Sequence, residues 1–372
     1  MNAYIISSIE DLDQIRESWK DLFRRSQSDN PFLTWEWNRE WIGTFAASEG
    51  INVVVVEDQG LVVAIAPFYL DKSNVLFLAD SLFADYMDVL SDRPSEDLFD
   101  RIFALLAEKV RWSKMALRTI PGTSANTLLI ERVLKQQTHF AECRCIHENP
   151  YVDSTGDFDA YVQNRSKGIK KELRRTKNRL AKDCSDWEFF EAKTPEEKDS
   201  VFDKLIEFHL QRQTDKVGTS IFGTEENRAF YRNFVKIDDA PWSPHVAGIS
   251  MDGRLVTASI SLICGRVFYY WITSFDNSLG GGSVGNYHVK LLLEKCFRED
   301  IDRMDFMGGT EAYKLRWADV TYDNFEVRAY RSRVKKIRDD AWIKMRSGMK
   351  SIKDNSEISS SVWTKLSKYI GK

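Results

Sequence analysis

The stretch Val267-Phe268-Tyr269-Tyr270-Trp271-Ile272-Thr273-Ser274-Phe275, continuing through Asp276-Asn277-Ser278-Leu279-Gly280-Gly281-Gly282-Ser283-Val284-Gly285, decides how the chain is read. The aromatic and β-branched run is a buried strand, the glycines are a loop, and the apolar positions from Tyr287 to Phe297 recur at helical spacing. Strand, glycine loop and helix make an anion site. Glycine lets a ligand approach the backbone, and the first helical turn leaves N–H groups unpaired. Gly280, Gly281, Gly282, Ser283, Val284 and Gly285 are therefore the candidate donors to a phosphate or pyrophosphate. No G-K-[ST] follows, which excludes a Walker loop, and the glycine spacing excludes a dinucleotide fingerprint.

Working outward, Arg303 to Met307 is a further strand, and the hairpin ahead of Val267 repeats one in the first half. Asp58, Leu61 and Ala64 fall on Asp252, Leu255 and Ala258 at an offset of 194 residues. In the first half, helices around Trp19 and Trp37 precede strands Val53 to Val56 and Leu61 to Phe68, joined by Glu57-Asp58-Gln59-Gly60. Strand Val75 to Leu78, helix Leu98 to Val110 and strand Met115 to Arg118 follow. In the second half, helices Lys170 to Ala181 and Glu196 to Gln211 precede hairpin, strand, crossover helix and strand. The matching order predicts two copies of one α/β unit, residues 1–150 and 151–330, with a linker near Asn149 to Gly156 and a basic amphipathic helical tail over 331–372.

A chain of 372 residues with 43% hydrophobic and 29% charged residues is too apolar to be disordered and long enough for two cores. No apolar run reaches membrane-spanning length and the first residues do not read as a secretion signal, so the expectation is a cytoplasmic protein. The five scattered cysteines suggest neither a disulfide framework nor a metal site. The net charge of −3 conceals two basic blocks. Arg165 to Lys182 carries nine basic residues against Glu172, and residues 331–372 carry 12 basic against 4 acidic. The first suits a phosphate-rich partner or a plain solvated helix. In the second, Val334, Ile337, Ala341, Met345, Met349 and Ile352 share one helical face. That face is expected to pack on the second domain, an anionic membrane near a synthase being the other surface that fits. Val362, Leu366 and Ile370 form a second such stretch.

The segment Met304-Asp305-Phe306-Met307-Gly308-Gly309-Thr310-Glu311-Ala312-Tyr313-Lys314-Leu315-Arg316-Trp317 carries the pattern D-F-x-x-G-x-E-x-Y-K-x-x-W. It resembles the end of the GNAT-type domain in the CelD-like acyltransferases associated with cellulose and other exopolysaccharide synthesis. Phe208-His209-Leu210-Gln211-Arg212 with Gly218 and Phe222, and Asp85-Tyr86-Met87-Asp88, are similar to further elements of that family, which has tryptophan where this chain has Gln213. The resemblance implies tandem GNAT-like domains, each a mixed, mostly antiparallel sheet flanked by helices, the second binding the donor and the first helping to build the acceptor groove. It implies an N-acyltransferase using acyl-CoA, acetyl-CoA foremost, or an acyl carrier protein, and no metal. The acceptor would be an amine or hydroxyl of a sugar-derived surface polymer precursor, attacked directly in a ternary complex. Two alternatives stay open: a Fem-like transferase that takes its acyl group from aminoacyl-tRNA, and a non-catalytic binding module in polysaccharide assembly.

Acyl transfer needs a base and charge stabilisation but no covalent nucleophile. Glu311 is the preferred base, with an ion pair to Lys314 or Arg316 as its other reading. Tyr313 protonates the thiolate or packs, Lys314 holds negative charge, and Asp305 is expected to face the cleft while Phe306 enters the core. Asp85, Tyr86, Asp88, His209 and Arg212 form the expected acceptor side, and Trp317 a wall of the pocket. His288 reads as a first-turn surface residue, and Cys264 and Cys296 as packing residues.

Overall fold

The computed structural model describes residues 1–46, 50–79, 84–138, 140–213, 220–279 and 283–355. The first half runs β1 (Asn2–Ile6), α1 (Ile9–Gln14), α2 (Arg16–Ser26), α3 (Trp35–Phe45), β2 (Ile51–Asp58), β3 (Leu61–Leu70), β4 (Val75–Leu78), β5 (Leu90–Ser91), α4 (Glu96–Lys109), β6 (Lys114–Pro121), α5 (Asn126–Thr138) and β7 (Ala141–Asp153). The second runs α6 (Phe158–Gln163), α7 (Lys167–Asp183), β8 (Trp187–Glu191), α8 (Pro195–Gln213), α9 (Glu225–Phe234), β9 (Trp242–Met251), β10 (Arg254–Leu255), β11 (Thr257–Cys264), β12 (Val267–Phe275), α10 (Ser283–Arg298), β13 (Arg303–Asp305), α11 (Ala312–Trp317) and β14 (Val320–Tyr330), before α12 (Arg333–Asn355). Helix starts follow local chemistry. Ser8, Thr34, Ser95, Asp157, Ser166 and Thr224 each accept the N–H three residues on, satisfying a donor that the helix leaves unpaired.

The repeat is real in its backbone, at an offset of 193 rather than 194. Gln59 and Gly60 turn β2 into β3 with φ of 52° and 80°, and Asp252 and Gly253 turn β9 into β10 with 48° and 76°. Two consecutive positive φ values give the turn whose twist matches its flanking strands. After two pairs, each hairpin then slips by one residue: Glu57 pairs Val62 but Val56 pairs Ala64, while Ser250 pairs Leu255 but Ala247 pairs Ser259. Side-chain matching at 194 followed the chance identity of Asp58 with Asp252, which occupy different turn positions.

The sheet order is β1-β2-β3-β4-β6-β14-β7-β13-β12-β11-β9-β10, with β5 on β3 and β8 on β9. Only β4–β6 and β12–β13 are parallel among the described pairs, so the sheet is mixed and mostly antiparallel, as expected. The last strand of each half lies in the other half's sheet. β7 pairs with β13, and β14 inserts between β6 and β7. This corrects the expected linker. Pro150 lies inside β7, where its carbonyl accepts from the Phe306 N–H at 2.9 Å, and strand pairing continues to Asp153.

One core lies under the first half and continues beneath the second through Phe202, Phe230, Val246 and Ile260; the other joins Leu173 and Leu180 of α7 to Val289, Leu292 and Phe306. His288 is a second correction. It is completely buried against β11, its two ring nitrogens 2.6 Å and 3.1 Å from the Thr257 and Ser259 hydroxyls, and burial pushes its pKa down to about 3. Cys264 and Cys296 are buried as expected. Burial pushes the Cys264 thiol up to about 12, which removes it from nucleophilic chemistry. Among the described side chains of α12 the apolar stripe does not pack on the second domain: Val334, Ile337 and Met345 are exposed, and Lys336 and Asp339 face the protein. The stretch from Val362 to Ile370 lies outside the described residues.

Candidate functional site

Strands β12 and β13 are hydrogen-bonded only from Val267–Arg303 to Tyr269–Asp305. Beyond Tyr269 the partner strand stops, while β12 runs on to Phe275. A slot of about 580 Å³ opens at this splay, between β12, α10 and the Phe306 to Lys314 segment, and Asp85, His209, Gly285, Glu311, Tyr313 and Lys314 all reach it. Residues from both halves therefore meet at one opening.

The polar end is built on a strained turn. Met307 and Gly309 have φ of 61° and 98°, and the Met307 N–H donates to Asp305. A Cβ on Gly308 would come within 2.8 Å of His147 Nε2, so glycine is required there by space. The Gly308 N–H donates to Asp85 Oδ2 at 3.2 Å, and its carbonyl accepts from Lys314 Nζ at 2.6 Å. Lys314 also pairs with Glu311 at 2.9 Å. Burial pushes the Asp85 carboxyl upward, with nearby Lys314 opposing it, and burial pushes His147 downward. His147, on β7, was not picked out from sequence. It lies far from the motif along the chain, and only strand exchange brings it beside Gly308; its Nε2 accepts from Asn324 Nδ2 at 3.0 Å.

Several expected residues are elsewhere. Asp305 is fully buried on the Tyr269 side of the sheet, accepting from the Tyr86 and Tyr322 hydroxyls at 2.6 Å and 2.8 Å, while Phe306 reaches the slot. Phe306 enters the core as expected, at 1% exposure, but Asp305 is held by the two tyrosines instead of facing the cleft. Tyr86 donates to Asp305 and lines the same depression as Asp88. Asp88 lines a separate depression of about 360 Å³, where it accepts from Ser124, Asn126 and the Val89 N–H. Trp317 is core, not wall: it is 1% exposed, and its carbonyl accepts from Tyr161 and Arg165. His209 lines the slot and shares a 3.0 Å hydrogen bond with Ser220. Arg212 is in the last turn of α8, its side chain outside the described residues, and Gly280, Gly281 and Gly282 lie outside them as well.

Beside that loop, Ser283 opens α10, with Val284 and Gly285 in its first turn. Arg179 of the basic helix α7 donates to the Leu279 carbonyl at 3.0 Å and to Ser283 Oγ at 3.3 Å. A hollow of about 400 Å³ there is lined by Lys171, Arg175 and Arg179. The three cations, together with Glu172, line this space beside the first residue of α10, and the cations suit a pyrophosphate. Among the described residues no cluster of metal-ligating side chains occurs.

Asp88 supports a first prediction. Burial raises its pKa from 3.8 to about 6, so the folded state prefers the neutral acid. Stability from this group is full below its unfolded pKa and is lost as pH rises through 6. Urea titrations are expected to show wild type gaining on Asp88→Asn by about 3 kcal/mol between pH 7.5 and pH 4, from roughly two units at 1.36 kcal/mol each. A constant difference between the two proteins contradicts the assignment.

Residues 167–315 match the family described as an acetyltransferase (GNAT) domain. No curated protein matches the chain. Among solved structures, a conserved protein of unknown function from Bacteroides thetaiotaomicron is similar at 13% identity and a TM-score of 0.58, covering 88% of this chain and 100% of that one. The C-terminal DUF2156 domain of a putative lysylphosphatidylglycerol synthetase from Agrobacterium fabrum is similar at 10% identity and 0.55, covering 87% and 94%. A tandem GNAT protein from the clavulanic acid biosynthesis pathway is similar at 12% identity and 0.50, covering 89% and 98%. These likenesses establish the tandem fold.

Proposed function

We propose, from the premise that the chain is an acyltransferase of the GNAT type, that it moves an acyl group from acyl-CoA, acetyl-CoA foremost, to an amine or hydroxyl of a sugar-derived acceptor. The observation carrying this reading is the slot at the β12–β13 splay. The segment Trp271 to Thr273 of β12, past the end of β13, lines the slot and offers amide partners to a pantetheine chain. The Ser283 end of α10 and the three cations of α7 offer a seat for the pyrophosphate. The sugar-derived acceptor rests on the resemblance of the Asp305 to Trp317 pattern to CelD-like enzymes.

In the reaction the acceptor's lone pair attacks the thioester carbonyl carbon, the C–S bond breaks, and the thiolate leaves with the bonding pair. The acceptor's proton goes to Asp85. Its burial-raised pKa brings it closer to working pH than an ordinary carboxylate, whereas Glu311 is half exposed and engaged with Lys314. Lys314 fixes the Gly308 turn and places positive charge where the oxyanion develops. Tyr313, on the wall of the slot, is the proton donor to the leaving thiolate.

Thermal unfolding with acetyl-CoA, longer acyl-CoAs, free coenzyme A and bulk tRNA tests the donor. A ligand at about 100 times its dissociation constant stabilises the native state by roughly 2.7 kcal/mol, so a CoA thioester is expected to raise the Tm by several degrees. A shift with tRNA alone, or with none of these ligands, overturns the reading.

A further inference from the structure

We propose that α12 docks the protein on an anionic lipid bilayer. A surface helix of a globular protein ordinarily turns its apolar stripe inward. In α12 the arrangement is reversed. Its inward face is polar: Lys336 pairs with Glu142 and Asp340 at 2.8 Å each, and Asp339 accepts from Lys114 Nζ and the Tyr330 hydroxyl at 2.6 Å each. Asp339 is thereby spent on the protein, and Asp340 pairs with Lys336 within the helix. The outward face holds Val334, Ile337 and Met345, which are 67%, 57% and 51% exposed. Exposed Arg333, Arg338 and Lys344 border them.

An apolar stripe edged by three exposed cations and one carboxylate that is paired within the helix fits a surface with hydrocarbon beneath a negative layer, the chemistry of an anionic bilayer interface. The sequence extends the same face, since Met349 and Ile352 follow Met345 at helical spacing with Arg346, Lys350 and Lys353 among them. The 23 residues of α12 make a rod about 35 Å long, enough to lie along a membrane. Charge also sets the orientation. Residues 331–372 carry +8 while the chain totals −3, so the remainder, at −11, is repelled by the surface that attracts the helix.

Sedimentation of the full chain with vesicles of phosphatidylcholine containing about one third phosphatidylglycerol tests this, against vesicles of phosphatidylcholine alone. Binding is expected to be at least about tenfold tighter to the anionic vesicles and to weaken as salt screens the charges. Ile337→Glu with Met345→Glu, and separately Arg338→Glu with Lys344→Glu, are each expected to lose about tenfold or more, with an unchanged Tm because these side chains are exposed. Failure of wild type to sediment, or undiminished binding by either double variant, overturns the proposal. So does a vesicle-free dimer that the Ile337→Glu and Met345→Glu pair disperses, which would make a second copy of the chain the occupant.

Discussion

Asp85→Asn is expected to lower kcat for acyl transfer about a hundredfold to a thousandfold while leaving KM for the acyl-CoA within about twofold. The amide keeps an oxygen for the Gly308 N–H, so the turn is held and only proton acceptance is lost. Glu311→Gln is expected to keep at least about a tenth of the wild-type rate, since Glu311 contributes an ion pair at the mouth rather than the base. The pH profile supplies the sign. A base works when deprotonated, and burial raises the Asp85 pKa, so activity falls as pH drops through a value above the ordinary 3.8. Steady-state kinetics across pH on the three proteins decide the matter; a large loss in Glu311→Gln with a small one in Asp85→Asn would move the base to Glu311.

Asp305→Ala is expected to cost about 4 kcal/mol or more, lowering the Tm by roughly 8 °C. The carboxylate accepts from Tyr86 in the first half, from Tyr322 in the exchanged strand β14 and from the Met307 N–H, and Arg303 lies 3.9 Å away. Alanine strands three buried donors at once, each worth about 1–3 kcal/mol when left unpaired. Asp305→Asn, which retains one acceptor oxygen, is expected to lose about half as much. Scanning calorimetry showing Asp305→Ala within about 2 °C of wild type would show the network to be dispensable.

The legible part of the chain was its local part. Gln59-Gly60 and Asp252-Gly253 announce their turns because positive φ selects a few residue types, and β12 with its glycine loop reads directly from composition. Glu311, Tyr313 and Lys314 were found because they lie on one short segment that reaches the slot. What failed depended on partners distant in sequence. His288 sits one turn into α10, an exposed position in an isolated helix, yet α10 lies on β11 and two hydroxyls receive the ring. Phe306 enters the core as read from the sequence, but Asp305 does not face the cleft, because it is held by Tyr86, some 220 residues away. Pro150 looked like a break because its unpaired backbone had no visible partner in the sequence, and its partner strands belong to the far half.

The exchange of β7 and β14 also governs how the protein is made. While the first 150 residues emerge from a ribosome, β6 has no neighbour on its open side, since β14, which fills it, is encoded some 200 residues later. Folding must wait for long-range pairing, which is slow, and the nascent chain meanwhile carries an exposed strand edge of the kind that recruits other chains.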